Sequence, residues 1–167
     1  MAFNEELIAE LEGEAKTTRR LLERIPADVW DYKPHEKSFS MGALNLLVAQ
    51  MFGWIPNMIR YPELDFANAG AWASEAKTAD EVVALLDKSL ADAKEQLGGA
   101  SDEVMNEMWT LRNGEDIYYQ GKKREIIRQT ISHMSHHRGQ LTVYARLKDI
   151  PVPSIYGPTA DETEFNM

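Results

Sequence analysis

Apolar residues recur every three or four positions through four long stretches of the chain, which is the period of a helix with one buried face. In the first, about Glu5 to Ile25, the residues Leu7, Ile8, Leu11, Ala15, Thr18, Leu22 and Ile25 share a side. Asn4 reads as its N-cap, Glu5 and Glu6 suit the positive end of the helix dipole, and Pro26 ends it. The second runs from Ser40, a plausible N-cap, to about Ile59, with a wide stripe from Leu44 to Met58 and Pro56 placed to kink its last turn. The third opens on the capping box Thr78-x-x-Glu81, buries Val82, Leu85, Leu86, Leu90, Ala93 and Leu97, and stops at Gly98-Gly99. The fourth spans about Lys123 to Leu147, with Ile126, Ile127, Thr130, His133, Met134, His137, Leu141 and Tyr144 inward.

The connections carry different signals. Residues 31–37 are polar and contain Pro34, so they read as a loop in which His35 is solvated. From Tyr61 to Lys77 the pattern is irregular. In residues 101–121, Asp102 can cap a short helical turn. Trp109-Thr110-Leu111 and Ile117-Tyr118-Tyr119 flank an Asn113-Gly114 turn signal, which predicts a small hairpin or an ordered loop. The run Lys122-Lys123-Arg124 opposes the dipole of the fourth helix and reads as a solvated face. Beyond Ile150, Pro151, Pro153 and Pro158 make a stiff extended tail that can fold back over the helices. The expected fold is all-α: a four-helix bundle with one irregular segment or small hairpin before the last helix, in a single domain over residues 1–167.

Composition narrows the function classes. The chain has 44% hydrophobic and 27% charged residues, the profile of a globular protein rather than a disordered one. Its 18 basic and 27 acidic side chains leave a formal charge of −9, which argues against nucleic acid and against anionic membrane surfaces as partners. There is no cysteine, which excludes disulfides, a thiol nucleophile and a thiolate metal site. The start of the chain turns acidic at once, unlike a signal peptide, and the apolar run from Ala43 to Ile55 is too short to span a bilayer. The expectation is a soluble, cytoplasmic protein.

The chemistry concentrates in Ser132 to Leu141, where three of the four histidines lie. His133 and His137 are one turn apart on one face, a spacing at which two imidazoles can share a metal ion or simply pack and hydrogen-bond. His136 stands about 60° from His133 around the helix, a poor position for a further ligand. Gln50 lies on a face of the second helix with Leu46, Leu47, Gly53 and Trp54, where a polar amide needs a partner. Met134 stands where a metalloprotease would carry its glutamate, and Ser135 faces away from His133, so neither protease-like nor Ser-His chemistry is indicated.

The run His133-x-x-x-His137-Arg138-Gly139-Gln140-Leu141, followed by Tyr144, Arg146 and Pro151-x-Pro153-x-x-Tyr156-Gly157-Pro158, resembles the DinB/YfiT-like superfamily. Pro34-x-x-x-Ser38-x-Ser40-Met41-Gly42 is similar to it as well. The resemblance implies an up-down-down-up bundle, often a homodimer, with a zinc or nickel ion held by three histidines. Two of these fall on His133 and His137, and the third position is Gln50, so the triad is incomplete. It further implies a metal-dependent transferase or hydrolase-like enzyme acting on a small molecule. The concrete precedent is transfer of a low-molecular-weight thiol to an electrophile near Trp54, with Arg138 fixing a bound anion or forming a salt bridge. The alternative is a metal-free member acting as a non-enzymatic binding or stress-response module, and an apolar dimer face is compatible with either. Catalytic residues are not identified by the sequence.

Overall fold

The computed structural model describes residues 2–69 and 76–164. Helix α1 covers Ala2–Leu22, α2 Met41–Gln50, α3 Trp54–Arg60, α4 Ala79–Gly99, α5 Asp102–Asn106 and α6 Lys123–Leu147; strands β1 Glu63–Asp65, β2 Met108–Asn113 and β3 Asp116–Lys122 form one sheet. The expected second helix is therefore α2 and α3 joined by a tight turn at Met51–Gly53. Pro56 explains the break, since it offers no N–H to the carbonyl of Phe52 and its ring crowds the preceding turn.

Side-chain contacts across the helix pairs fix the direction of each. Glu12 meets Lys94 and Arg19 meets Asp87, so α1 and α4 run oppositely. Arg60 pairs with Asp92 while Gly53 lies against Ser89, so α2–α3 and α4 run together. Arg124 stacks 4.3 Å over Phe3 and Arg128 reaches Glu10 at 3.2 Å, so α6 runs with α1. Taking α2–α3 as one element, the order is up, down, down, up. The core between them is built from residues such as Leu11, Leu22, Val48, Phe52, Leu86 and Leu141, all nearly or wholly buried.

Helix ends account for most departures from expectation. Ser40 and Thr78 cap α2 and α4 as predicted, the latter through a reciprocal box with Glu81. Asn4 does not cap α1; it lies inside that helix, and its amide donates to the carbonyls of Leu97 and Ala100 at 3.0 and 2.9 Å. It thus satisfies the far end of α4, whose last carbonyls have no intrahelical partner. Lys123 is likewise not solvated: only 3% exposed, it donates to the Ile59 carbonyl at 2.9 Å, closing α3, and pairs with Glu107 at 2.7 Å. Ser101, not Asp102, caps α5.

The hairpin of β2 and β3 forms, with its two-residue turn at Gly114 and Glu115 and Gly114 at φ 60°. The irregular segment after Tyr61 contains β1, pairing parallel to β2, and Asp65 accepts from Gly114 N at 2.8 Å. Residues 70–75 of that segment lie outside the described residues. The tail folds back as expected, Glu162 bridging Arg20 and Arg24, and Asp161 meeting Arg146. Gly42 is required where it stands: a Cβ there would come within 2.8 Å of Trp30 Cβ, because the loop of Trp30 and Tyr32 bonds directly to the start of α2. Among the described residues, no helix is long and apolar enough to cross a membrane.

Candidate functional site

His133 and His137 project from α6 toward α2 and α3. Their Nε2 atoms approach to 2.9 Å, with ring centroids 4.6 Å apart. Neither lies in the bundle interior, contrary to the inward side drawn for them; His133 is exposed and His137 half-buried. The turn of α6 that carries them borders a groove instead of a packed seam, because the opposing residues Leu47, Gln50 and Trp54 are themselves only half-buried. Trp54 stands with its ring centroid 5.8 Å from His133, and Phe39 borders His137 at 6.4 Å.

The hydrogen bonds around the pair have a direction. Gln140 Oε1 lies 2.8 Å from His137 Nδ1, and an amide oxygen only accepts, so this ring carries its proton on Nδ1. His137 Nε2 is then a lone pair, receiving the Nε2–H of His133. The Gln140 amide nitrogen in turn donates to His136 Nε2 at 3.1 Å. Partial burial, and then the neighbouring His137 and His136, push the His133 pKa below the usual histidine value, which favours the neutral ring of His133 near pH 7. A neutral imidazole whose other nitrogen donates to an oxygen is the form that ligates a metal.

Gln50 lines the same groove as His133 and His136, and the His136 ring accepts from the Gln140 amide. Among the described residues, no three His, Cys, Asp or Glu side chains are grouped to hold a metal ion. A donor set drawn from this groove would be two imidazoles and the Gln50 amide oxygen. Two nitrogens bound about 2.0–2.1 Å from a tetrahedral zinc stand roughly 3.3 Å apart, so the pair needs to open by only a few tenths of an ångström. The residues fit a divalent cation whose charge an outside anionic ligand completes, since the protein supplies no carboxylate there.

Arg138 is not an anion anchor for this site. It is 1% exposed and faces α1, where it meets Glu14 at 2.7 Å, the hydroxyls of Thr17 and Thr18 at 2.9 Å each, and Tyr156 at 2.6 Å. Ser135 points the same way, bonding the Ile131 carbonyl and Tyr156.

Gln140, three residues past His137 and four past His136, is the site residue that sequence reasoning missed. Helical spacing alone, the rule that paired the histidines, was signal enough to find it. The groove's far wall, made by the sheet through Trp109, Leu111 and Tyr119, had no comparable signal.

With this geometry, the DinB family model matches residues 1–165. The chain belongs to the DinB family. Among its relatives, the Bacillus subtilis protein described as "Uncharacterized protein YrdA" is 26% identical over 155 residues, covering 90% of this chain and 86% of that one. The crystal structure of the DinB-like protein YjoA from Bacillus subtilis superposes with a TM-score of 0.70 at 20% identity, over 95% of this chain and 99% of that one. A member of the DinB family from Exiguobacterium sibiricum gives 0.68 at 18% identity, over 89% and 93%. At these identities the structures establish the shared DinB fold, four main helices with a small three-stranded sheet, and nothing of the reaction.

Proposed function

We propose that this DinB protein is a metal-dependent enzyme of small-molecule chemistry, with His133, His137 and Gln50 holding a divalent zinc or nickel ion. The observation that carries the reading is the convergence of two imidazole nitrogens, 2.9 Å apart, beside a cavity of about 1310 Å³ lined by His133 and Gln50. When bound, such an ion lowers the pKa of a thiol or water and so supplies a nucleophile near neutral pH. Gln140 holds the His137 ring in the tautomer that presents Nε2. Trp54, its ring centroid 5.8 Å from that of His133, forms an aromatic wall beside that position. Transfer of a low-molecular-weight thiol to an electrophile is the reaction class this arrangement suits best.

A second reading, a metal-free binding module, is favoured by the His133–His137 hydrogen bond, which satisfies both rings without an ion. Elemental analysis of the purified protein beside a Gln50→His variant separates the two. Near-stoichiometric metal in both proteins supports the enzyme reading, and metal in the variant alone identifies an eroded site. No metal in either, even after incubation with zinc, removes the first reading.

A further inference from the structure

The groove extends well past the histidines, and its chemistry names a class of ligand. Because α2–α3 runs opposite to α6, the lining runs from Gln50 and His136 at one end to Tyr61 and Ile126 at the sheet. Ten residues of α6 separate Ile126 from His136, a length of roughly 15 Å at about 1.5 Å per residue. The volume of about 1310 Å³ is above the ~300–1,000 Å³ usual for small-molecule sites. Such room takes a ring system together with a co-substrate.

We propose that the groove binds the uncharged aromatic body of a substrate, with its reacting end at His133 and its far end against the sheet. The proposal rests on the metal-site reading and adds its substrate class. Aromatic rings recur along the walls, from Trp54 beside His133, through Tyr61 and Phe66, to Trp109 and Tyr119, among aliphatic side chains such as Leu47, Met58 and Leu111. Flat rings stack on such walls, and apolar area left in water is covered when they do. Tyr61 and Phe66, 56% and 51% exposed, stand at the lip, where their rings are open to a ligand.

Charge decides against an anionic ligand. Among the described residues lining the groove there is no Lys or Arg, and the one carboxylate among them, Glu63, is engaged by Arg112 at 2.7 Å. A phosphate or carboxylate on this part of the ligand would leave water without a counter-ion, inside a chain of net charge −9. The polar lining is neutral: Asn57, Gln129 and Thr130 beside Gln50. At the sheet end Trp109, 4% exposed, closes the groove as a buried aromatic wall.

The test uses two probes of one shape, neutral 2-naphthol and anionic 2-naphthoate, titrated into the purified protein at pH 7 with tryptophan fluorescence as the signal. Saturable naphthol binding, at least tenfold tighter than naphthoate, is expected. Phe66→Ala, an exposed position that the fold does not need, should weaken naphthol at least threefold. Phe66→Lys should narrow or reverse the preference by placing a cation at the lip. Equal or tighter binding of naphthoate to the wild type, no saturable binding of naphthol, or no response to either Phe66 variant would overturn the proposal. Zinc content of the same sample is read in parallel. Naphthol binding by protein that takes up no zinc supports the groove and counts against the metal reading alone; zinc uptake without naphthol binding overturns the groove alone.

Discussion

His137 and Arg138 are consecutive in α6, yet they belong to two faces with opposite physics. On the Arg138 face both terminal nitrogens of a buried guanidinium are matched, by Glu14, Thr17, Thr18 and Tyr156, drawn from α1 and the tail. On the His137 face the imidazoles are supported by residues of their own helix, and the opposing helix stands off across a groove. The first face holds the molecule together, and the second is kept open. A polar group that is over-supplied with partners has nothing left to offer a ligand, whereas one held only by its neighbours in sequence can exchange them.

Breaking the first face should have the largest effect. Arg138→Met leaves the Glu14 carboxylate, 12% exposed, without its counter-ion. Removing one partner of a buried pair costs about 3–5 kcal/mol. For a chain of this size that lowers Tm by roughly 6–20 °C in thermal unfolding. Combining it with Glu14→Leu should recover much of the loss, because the unpaired charge is then gone. Zinc uptake per folded molecule should stay unchanged in both variants. Lost uptake with an unchanged Tm would mean that Arg138 serves the groove after all.

The same face continues into the tail, where it is sensitive to pH. The Arg24 guanidinium, with the Ser154 N–H and Arg20, holds the Glu162 carboxyl down at about 2, against 4.5 for the free group. A depressed carboxylate stabilises the fold fully above its unfolded value and loses that contribution as the pH falls from about 4.5 through about 2. The urea midpoint of the wild type should therefore fall between pH 5 and pH 2.5 more steeply than that of Glu162→Gln. Parallel curves for the two proteins would show that the tail clamp contributes nothing.

How much of this contrast the sequence discloses depends on the range of the interaction. The helices, the capping box at Thr78 and the His133–His137 pair are local, and helical period reads them directly. So is the direction of Arg138, about 140° from His133 around the helix, although its residue type alone suggests an anion anchor. Asn4 and Lys123 are different. Each satisfies the terminal carbonyls of another helix, across 93 and 64 residues, and no local pattern records that need. Strand β1 has only three residues, too few to show alternation, so the wall it helps to make was hidden too. The groove is the product of these long-range contacts, which is why its lip and floor come from the structure while its histidines come from the sequence.

The smallest effect on stability, and the sharpest on the comparison, is expected at Gln140. It is exposed and, among the described residues, its side chain bonds His136 and His137 of its own helix, so Gln140→Ala should change unfolding free energy by no more than about 0.5 kcal/mol. Its loss frees the His137 ring to rotate and to carry its proton on either nitrogen. Residues that orient a ligating histidine in this way are typically worth 10–100-fold in metal affinity. Zinc competition against a chelating dye should show that drop, and nitrogen NMR of the metal-free variant should show His137 leaving the single Nδ1–H tautomer. Unchanged affinity and an unchanged tautomer would mean that the helix backbone alone sets the ring. The open face would then owe its geometry to the same rigid packing as the closed one, and the division between the two would fail at the residue where it is most exposed to test.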